Sequence, residues 1–535
     1  VSLLAALQWR FEIPLPWDHW LLGTDRLVGA MPLGRMSPLT IVGFLFTSAG
    51  FLAPLTRTRG GRIQKWAALM GSAIAIAIRV QATGRTASRL GWVPMSTAPR
   101  TCIIGAGSTG IAVAKALNER GIDFDCYELS DRVGGNWVLG NVNGVSSSYS
   151  SLHINTSRER MEYSDYPMPK DYPDFPRHDH IAAYFDDYVD HFGFRDRIRF
   201  GVGVEHVEPG EAGGFDIRTS EGETVHYDAV VVANGHHWDA RWPEPAFPGS
   251  DTFEGEQIHA HDYKDESQLR DKDVVVLGMG NSAMDIAVDA SYHAKSTILA
   301  ARRGAWILPK YLFGKPVDKE NKLLDSMPPA IRFPILQKLL ESQFGKPSDY
   351  GLPEPDHKLG HAHPTVSGRI LDRLAHGAIK VKPNIASLEG ETVRFTDGTE
   401  AHADLVVYCT GYKITFPFFD HEFISADDNR LRLYMYMFHP EIENLYFPGL
   451  IQPLGAIMPI AERQGVIIGE SLIGNYELPA RVEMEHEIDD REEKMRKRYV
   501  ASKRHTIQVD AEPYMRTLAK EIQDGRERAL SGAVG

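Results

Sequence analysis

The stretch RTCIIGAGSTGIAVAKALNERGIDFDCYELSDRVGG, residues 100–135, decides the fold. A short apolar run, Thr101 to Ile104, leads into Gly105-Ala106-Gly107-x-x-Gly110, then a helical segment from about Ser108 to Arg120, a second apolar run and an acid, Glu128. Strand, tight turn, helix, strand and acid in that order form a dinucleotide-binding unit. Gly105 and Gly107 allow the turn and the close approach of a pyrophosphate, and Gly110 lets the helix pack on the strand. The helix start points its free N–H groups and positive dipole end at the phosphates. Glu128, 18 residues beyond Gly110, is placed to accept from a ribose hydroxyl. The nucleotide at this turn is FAD or a nicotinamide dinucleotide.

The unit recurs in KDVVVLGMGNSAMDIAVDASYHAKSTILAARRGAW, residues 272–306. Val274 to Leu277 supply the strand and Gly278 and Gly280 the turn, while Ala283 stands in the third glycine's place, small enough for close packing. Asn281 and Ser282 add polar contacts near the phosphates. Where an NAD site tends to carry a carboxylate, this chain has Arg302 and Arg303, 22 and 23 residues after Gly280. Guanidinium forks suit the phosphate monoester of NADP, so NADPH is the expected nicotinamide; the bland alternative is a solvated basic turn.

The first turn is better matched to FAD. In DRVGGNWV, residues 131–138, Gly134 and Gly135 bring backbone close to an extended cofactor and Trp137 covers it. Two later stretches, YDAVVVANGHH at 227–237 and HADLVVYCTGY at 402–412, each read as an apolar strand ending in a small residue and glycine. Placed on either side of the second unit, they predict an α/β chain of two dinucleotide-binding Rossmann-like domains, the NADP domain inserted in a discontinuous FAD domain. The expected boundaries are 98–270 and 376–480 for FAD, 271–375 for NADP, and 481–535 for a peripheral helical tail that covers the cleft or a partner. Residues 307–365, rich in Pro and Gly, are expected to form loops and short helices.

A length of 535 residues allows more than one core, and a net charge of −13 argues against a nucleic-acid binder. Cys102, Cys126 and Cys409 lie beside apolar runs and read as buried thiols rather than a disulfide framework. His236 with His237 and the two HAH triplets lack the cysteines or His-Glu-x-x-His helix of a zinc site, so no metal is expected. Residues 1–97 differ in kind. The first 100 residues carry 11 Lys or Arg against 3 Asp or Glu, a balance of +8. Residues 36–56 are 21 uncharged residues followed by Arg57, Arg59, Arg62 and Lys65. This run reads either as a membrane span with a cytoplasmic exit, which leaves the nucleotide-binding body in the cytoplasm, or as a helix packed on that body.

Between the two units lies FEGEQIHAHDY, residues 253–263, with the spacing Phe253-x-Gly255-x-x-x-His259-x-x-x-Tyr263. With HINTSRERMEYSDYPMP at 153–169, RRGAW at 302–306, CTGY at 409–412 and GLIQPLGAIMPIAERQ at 449–464, the chain resembles the flavin-containing monooxygenases, class B flavoprotein monooxygenases, over about residues 100–475. The resemblance implies FAD, NADPH and dioxygen as reactants. It also implies a flavin 4a-hydroperoxide that transfers one oxygen to a soft nucleophile, an amine nitrogen or a sulfide sulfur. It further implies that the 253–263 motif links the domains, that Gln452 contacts a cofactor, and that Asn155 lies beside the flavin and oxygen site, its amide donating to the peroxide or the nicotinamide. Tyr263 stands where Baeyer-Villiger enzymes usually carry Trp, which favours amine or sulfide over ketone. The alternatives are Baeyer-Villiger oxidation of a carbonyl substrate and a non-catalytic membrane-associated flavoprotein. A homo-oligomer is compatible with either.

Overall fold

The computed structural model describes residues 99–319, 327, 329–362, 364–498 and 506–532, together with the antiparallel pair Leu27–Val28 and Met31–Pro32. The candidate span 36–56 lies outside the described residues. The chain falls into two compact units, 1–96 and 97–535, and the architecture that follows belongs to the second.

Strand β1 (Thr101–Ile104) is buried along its whole length, as an apolar strand covered on both faces of a parallel sheet must be. It leads through the glycine turn into α1 (Ser108–Asn118) and on to β2 (Phe124–Glu128). β3 (Ile198–Phe200) and β4 (Ala229–Val232) extend this sheet, which is closed on its far edge by Leu445–Tyr446. The spatial order is Leu445–Tyr446, β4, β1, β2, β3, with every pairing parallel.

The second sheet orders β5 (Glu256–His259), Leu405–Tyr408, β6 (Asp273–Leu277), β7 (Ser296–Ala300) and β8 (Lys380–Lys382), again all parallel. Helix α2 (Asn281–His293) follows β6. Here the structure corrects an expectation. Leu405–Tyr408, now β9, does not return the chain to the first sheet; it lies between β5 and β6 in the second, wholly buried. Its exit residue packs under the second glycine turn, where a Cβ on Gly278 would meet Cys409 O at 2.7 Å. The return is made later, by β10 (Leu445–Tyr446) beside β4 and by α3 (Met458–Leu472), which crosses α1. Gly465 permits that crossing, since a Cβ there would lie 3.1 Å from Ala112 O and from Val113 Cα. The second sheet therefore reaches beyond residues 271–375 at both ends: β5 precedes them, and β8 and β9 follow.

Two other expectations change. Residues 307–365 include a 16-residue helix, Pro329–Phe344, rather than only loops and short helices. The tail is not peripheral. Gln508–Asp510 pairs in parallel with Gln452–Leu454, and Tyr514, Leu518 and Ile522 of the last helix, Ala511–Gly532, are buried in the core that holds α1 and α3. All three cysteines are free thiols. Among the described residues no helix is long and apolar enough to cross a membrane.

Candidate active site

One cavity of about 2000 Å³ runs along both glycine turns. At the first turn, Gly105 has φ +99°, and a Cβ on it would lie 2.7 Å from Ala233 O; a Cβ on Gly110 would lie 1.8 Å from Gly105 O. Neither position admits a side chain. Gly107 differs, because a Cβ there would meet only Gly135 Cα, at 3.9 Å, so the space above it is open to the cavity. Gly107 caps α1 without a side-chain hydrogen bond, leaving first-turn N–H groups for an anion. Gly134 and Gly135, both at positive φ, turn the chain past Gly107 into the short helix Gly135–Trp137, and Trp137 lines the cavity half-buried.

Glu128 ends β2 and is buried. Its Oε2 accepts from Ala106 N at 2.7 Å and its Oε1 from Ser130 N at 2.8 Å. Burial nevertheless raises its pKa, with the backbone donors working against the shift. A carboxylate has about four acceptor sites, and the Asn143 side chain also donates to this one, so one site remains for a hydroxyl. This open cradle, uncapped helix start and buried carboxylate fit the pyrophosphate and ribose of a flavin dinucleotide.

The second turn repeats the design. Gly278 has φ +144°, and Gly280 caps α2 without a side-chain hydrogen bond. Ala283 is fully buried in the third glycine's place. Asn281 and Ser282 line the cavity, but Asn281 Oδ1 already accepts from Val366 N at 2.9 Å, which leaves its amide NH2 as the free part. Arg302 and Arg303 both line the cavity and are exposed. They are not equivalent: Arg303 pairs with Asp356 at 2.7 Å.

Asn155 lines the same cavity, half-buried, and its side chain has no hydrogen-bond partner among the described residues. Gln452 lines it too, at the start of Gln452–Leu454. The 253–263 motif acts largely through packing. A Cβ on Gly255 would collide with the Phe253 ring at 2.5 Å and with Ala403 O at 2.6 Å, so the glycine lets the ring fold over its own backbone. His259 is wholly buried at the end of β5; its Nδ1 accepts from His261 N at 3.0 Å, which leaves the proton of the neutral ring on Nε2. Burial lowers its pKa to about 4. Tyr263, also fully buried, donates to Asp289 Oδ2 at 2.9 Å.

Sequence reasoning missed Asp285, which lines the cavity and accepts from Tyr149 Oη at 2.7 Å; burial raises its pKa to about 6. The signal was available in SAMDIAVDA, where Asp285 and Asp289 interrupt an apolar helix at i, i+4. Among the described residues the one set of three ligand atoms within 4.8 Å is Asp273, His402 and Asp404, where Lys295 already pairs with Asp273 at 2.7 Å.

Two parallel sheets, each with a strand–glycine–helix turn opening on one cavity, define a protein built to hold two dinucleotides. The comparisons carry this further. The profile of the family described as Flavin-binding monooxygenase-like matches residues 98–527, and the chain belongs to that family. Flavin-containing monooxygenase 5 of Oryctolagus cuniculus is 37% identical over 443 residues, covering 79% of this chain and 82% of the relative. Dimethylaniline monooxygenase [N-oxide-forming] 2 of the same organism is 32% identical over 446 residues, covering 79% and 83%. A solved structure of a cyclohexanone monooxygenase variant from Rhodococcus sp. Phi1, bound to NADP+, has the same fold, with a TM-score of 0.62, 18% identity and coverage of 80% of this chain and 98% of that one. The protein is an FAD-containing, NADPH-dependent monooxygenase that consumes dioxygen and a small substrate.

Proposed function

We propose that the chain oxygenates soft nucleophiles, amines at nitrogen or sulfides at sulfur, using one atom of dioxygen and releasing the other as water. Bound FAD, once reduced by NADPH, supplies the oxygen activation that amino-acid side chains lack. The protein's own part is to bind, orient and shield. The observation that carries the reading is the single cavity joining the Gly107 opening, the Gly280 helix start and the unpartnered amide of Asn155. A soft nucleophile needs no strong base to react with an electrophilic oxygen, in keeping with a cavity that Asn155 and Trp137 both line. The name of the N-oxide-forming relative supports nitrogen as an acceptor.

In this reading Glu128 holds the flavin-side ribose, Trp137 and Gln452 cover the flavin, and Ser282, the Asn281 NH2 and Arg302 hold the nicotinamide dinucleotide. The FAD domain comprises the β1–β4 sheet with β10 and α3, and the NADP domain comprises the β5–β9 sheet. Residues 36–56 attach the chain to a membrane with the catalytic body on the cytoplasmic side. That assignment rests on the uncharged run and its basic exit; recovery of intact protein wholly in a detergent-free soluble fraction would reject it. The test of function is NADPH-driven oxygen uptake with product analysis. Trimethylamine or a dialkyl sulfide is expected to yield N-oxide or sulfoxide, whereas ester formation from a ketone alone would replace this reading with Baeyer-Villiger oxidation.

A further inference from the structure

Helix α2 buries Ala283, Met284, Ile286, Ala287, Val288 and Ala290, yet places two carboxylates one turn apart on the face that meets residues 149–154. Tyr149 Oη donates to Asp285 Oδ2 at 2.7 Å. Asp289 Oδ2 accepts two hydroxyls at once, Ser151 Oγ at 2.5 Å and Tyr263 Oη at 2.9 Å. The Tyr149 and Tyr263 rings pack with centroids 5.7 Å apart, and Ser150 N donates to Lys264 O at 2.8 Å. At the far end of the same stretch Lys310 Nζ donates to Ile154 O at 3.0 Å. The next residue is Asn155, the free amide in the cavity.

Burying a carboxylate is costly unless its oxygens are hydrogen-bonded, and burial raises the pKa of both Asp285 and Asp289. Apolar residues at these two positions would pack α2 without that cost. What they would not do is fix the turn in one register, because hydroxyl-to-carboxylate bonds are directional where apolar contact is not.

We propose that Asp289 is a positioning residue of the oxygenation reaction: by accepting from Ser151 and from Tyr263 of the 253–263 motif, it locks residues 149–154, and through them Asn155, against the nicotinamide-side helix. Asp285 with Tyr149 is the second fastening. This gives the motif's tyrosine a defined task, and it rests on the monooxygenase reading of the cavity.

The test uses holoenzyme of the parent and of Ser151→Ala, Tyr263→Phe, the double variant of these two, and Asp289→Ala. The two hydroxyl deletions remove one bond each, so they remain informative should Asp289→Ala not fold. With NADPH, oxygen and trimethylamine, the share of electrons lost to hydrogen peroxide is expected to rise about threefold or more in the double variant, and about as much in Asp289→Ala, with smaller rises in the singles. Anaerobic flavin reduction by NADPH is expected to stay within about twofold of the parent, a split that a general loss of stability would not produce. Amide hydrogen exchange across 149–155 is expected to accelerate about fivefold or more. Parent-like coupling in the double variant, or reduction falling in step with coupling, overturns the proposal. Should the parent form no oxygenated product, the functional reading itself fails, and exchange alone then decides the fastening: unchanged exchange rejects it and faster exchange upholds it.

Discussion

Arg303 is tied to Asp356, with Nε and Nη2 each 2.7 Å from Oδ2, whereas the neighbouring Arg302 guanidinium has no partner among the described residues. Of two adjacent arginines on the cavity wall, one is held by a carboxylate and one is free to meet an anion. Arg302 is therefore the better candidate for the 2'-phosphate of NADPH. Replacing it with Gln should raise the NADPH concentration needed for half-maximal anaerobic flavin reduction about tenfold or more, the usual cost of a lost charged hydrogen bond, and leave NADH use nearly unchanged. Arg303→Gln should have a smaller effect. Equal losses for both cofactors in stopped-flow reduction would make the pair a surface cluster.

Glu128 joins the first turn to its ligand. Because it already orders Ala106 N and Ser130 N, its loss should loosen the cradle and remove the ribose acceptor together. Glu128→Ala is expected to weaken FAD binding about tenfold or more, measured by titrating apoprotein with FAD, while the preference for NADPH over NADH is preserved. FAD affinity equal to that of the parent would remove Glu128 from the site.

Both glycine turns were legible in the sequence because their chemistry is local: β1 to Gly110 and β6 to Ala283 each hold the whole pattern within about a dozen residues. What was not legible was sheet membership. Leu405–Tyr408 and Ala229–Val232 are both fully buried apolar strands ending near a glycine, and nothing within either run says which sheet it joins. That choice is made by tertiary partners, β5 and β6 for one and β1 for the other. The same limit applies to the site. Arg302 and Arg303 look alike in sequence and are separated only by Asp356, 53 residues further on. Asp285 and Asp289 stand out in the sequence as carboxylates on an apolar helix, but the hydroxyls that face them, from Tyr149, Ser151 and Tyr263, come from two segments distant in sequence.

His259 gives a pH dependence with a definite sign. Burial depresses its pKa to about 4 from an ordinary 6.5, so between these values the unfolded chain binds a proton that the folded ring refuses. Its contribution to stability is present above pH 6.5 and is lost as pH falls toward 4, by about 3 kcal/mol at about 1.4 kcal/mol per unit. His259→Asn, whose amide oxygen can accept from His261 N in place of Nδ1, should show a shallower decline in urea-unfolding stability over that range. An unaltered acid slope would mean that His259 is not buried neutral.

The central claim is that this fold delivers one atom of molecular oxygen to a soft nucleophile. The direct measurement supplies NADPH, trimethylamine and isotopically heavy dioxygen in ordinary water and follows the N-oxide by mass spectrometry. The expected result is N-oxide carrying one heavy oxygen in an amount close to the NADPH consumed, with little hydrogen peroxide. NADPH oxidised wholly to hydrogen peroxide, or N-oxide whose oxygen comes from water, would contradict it.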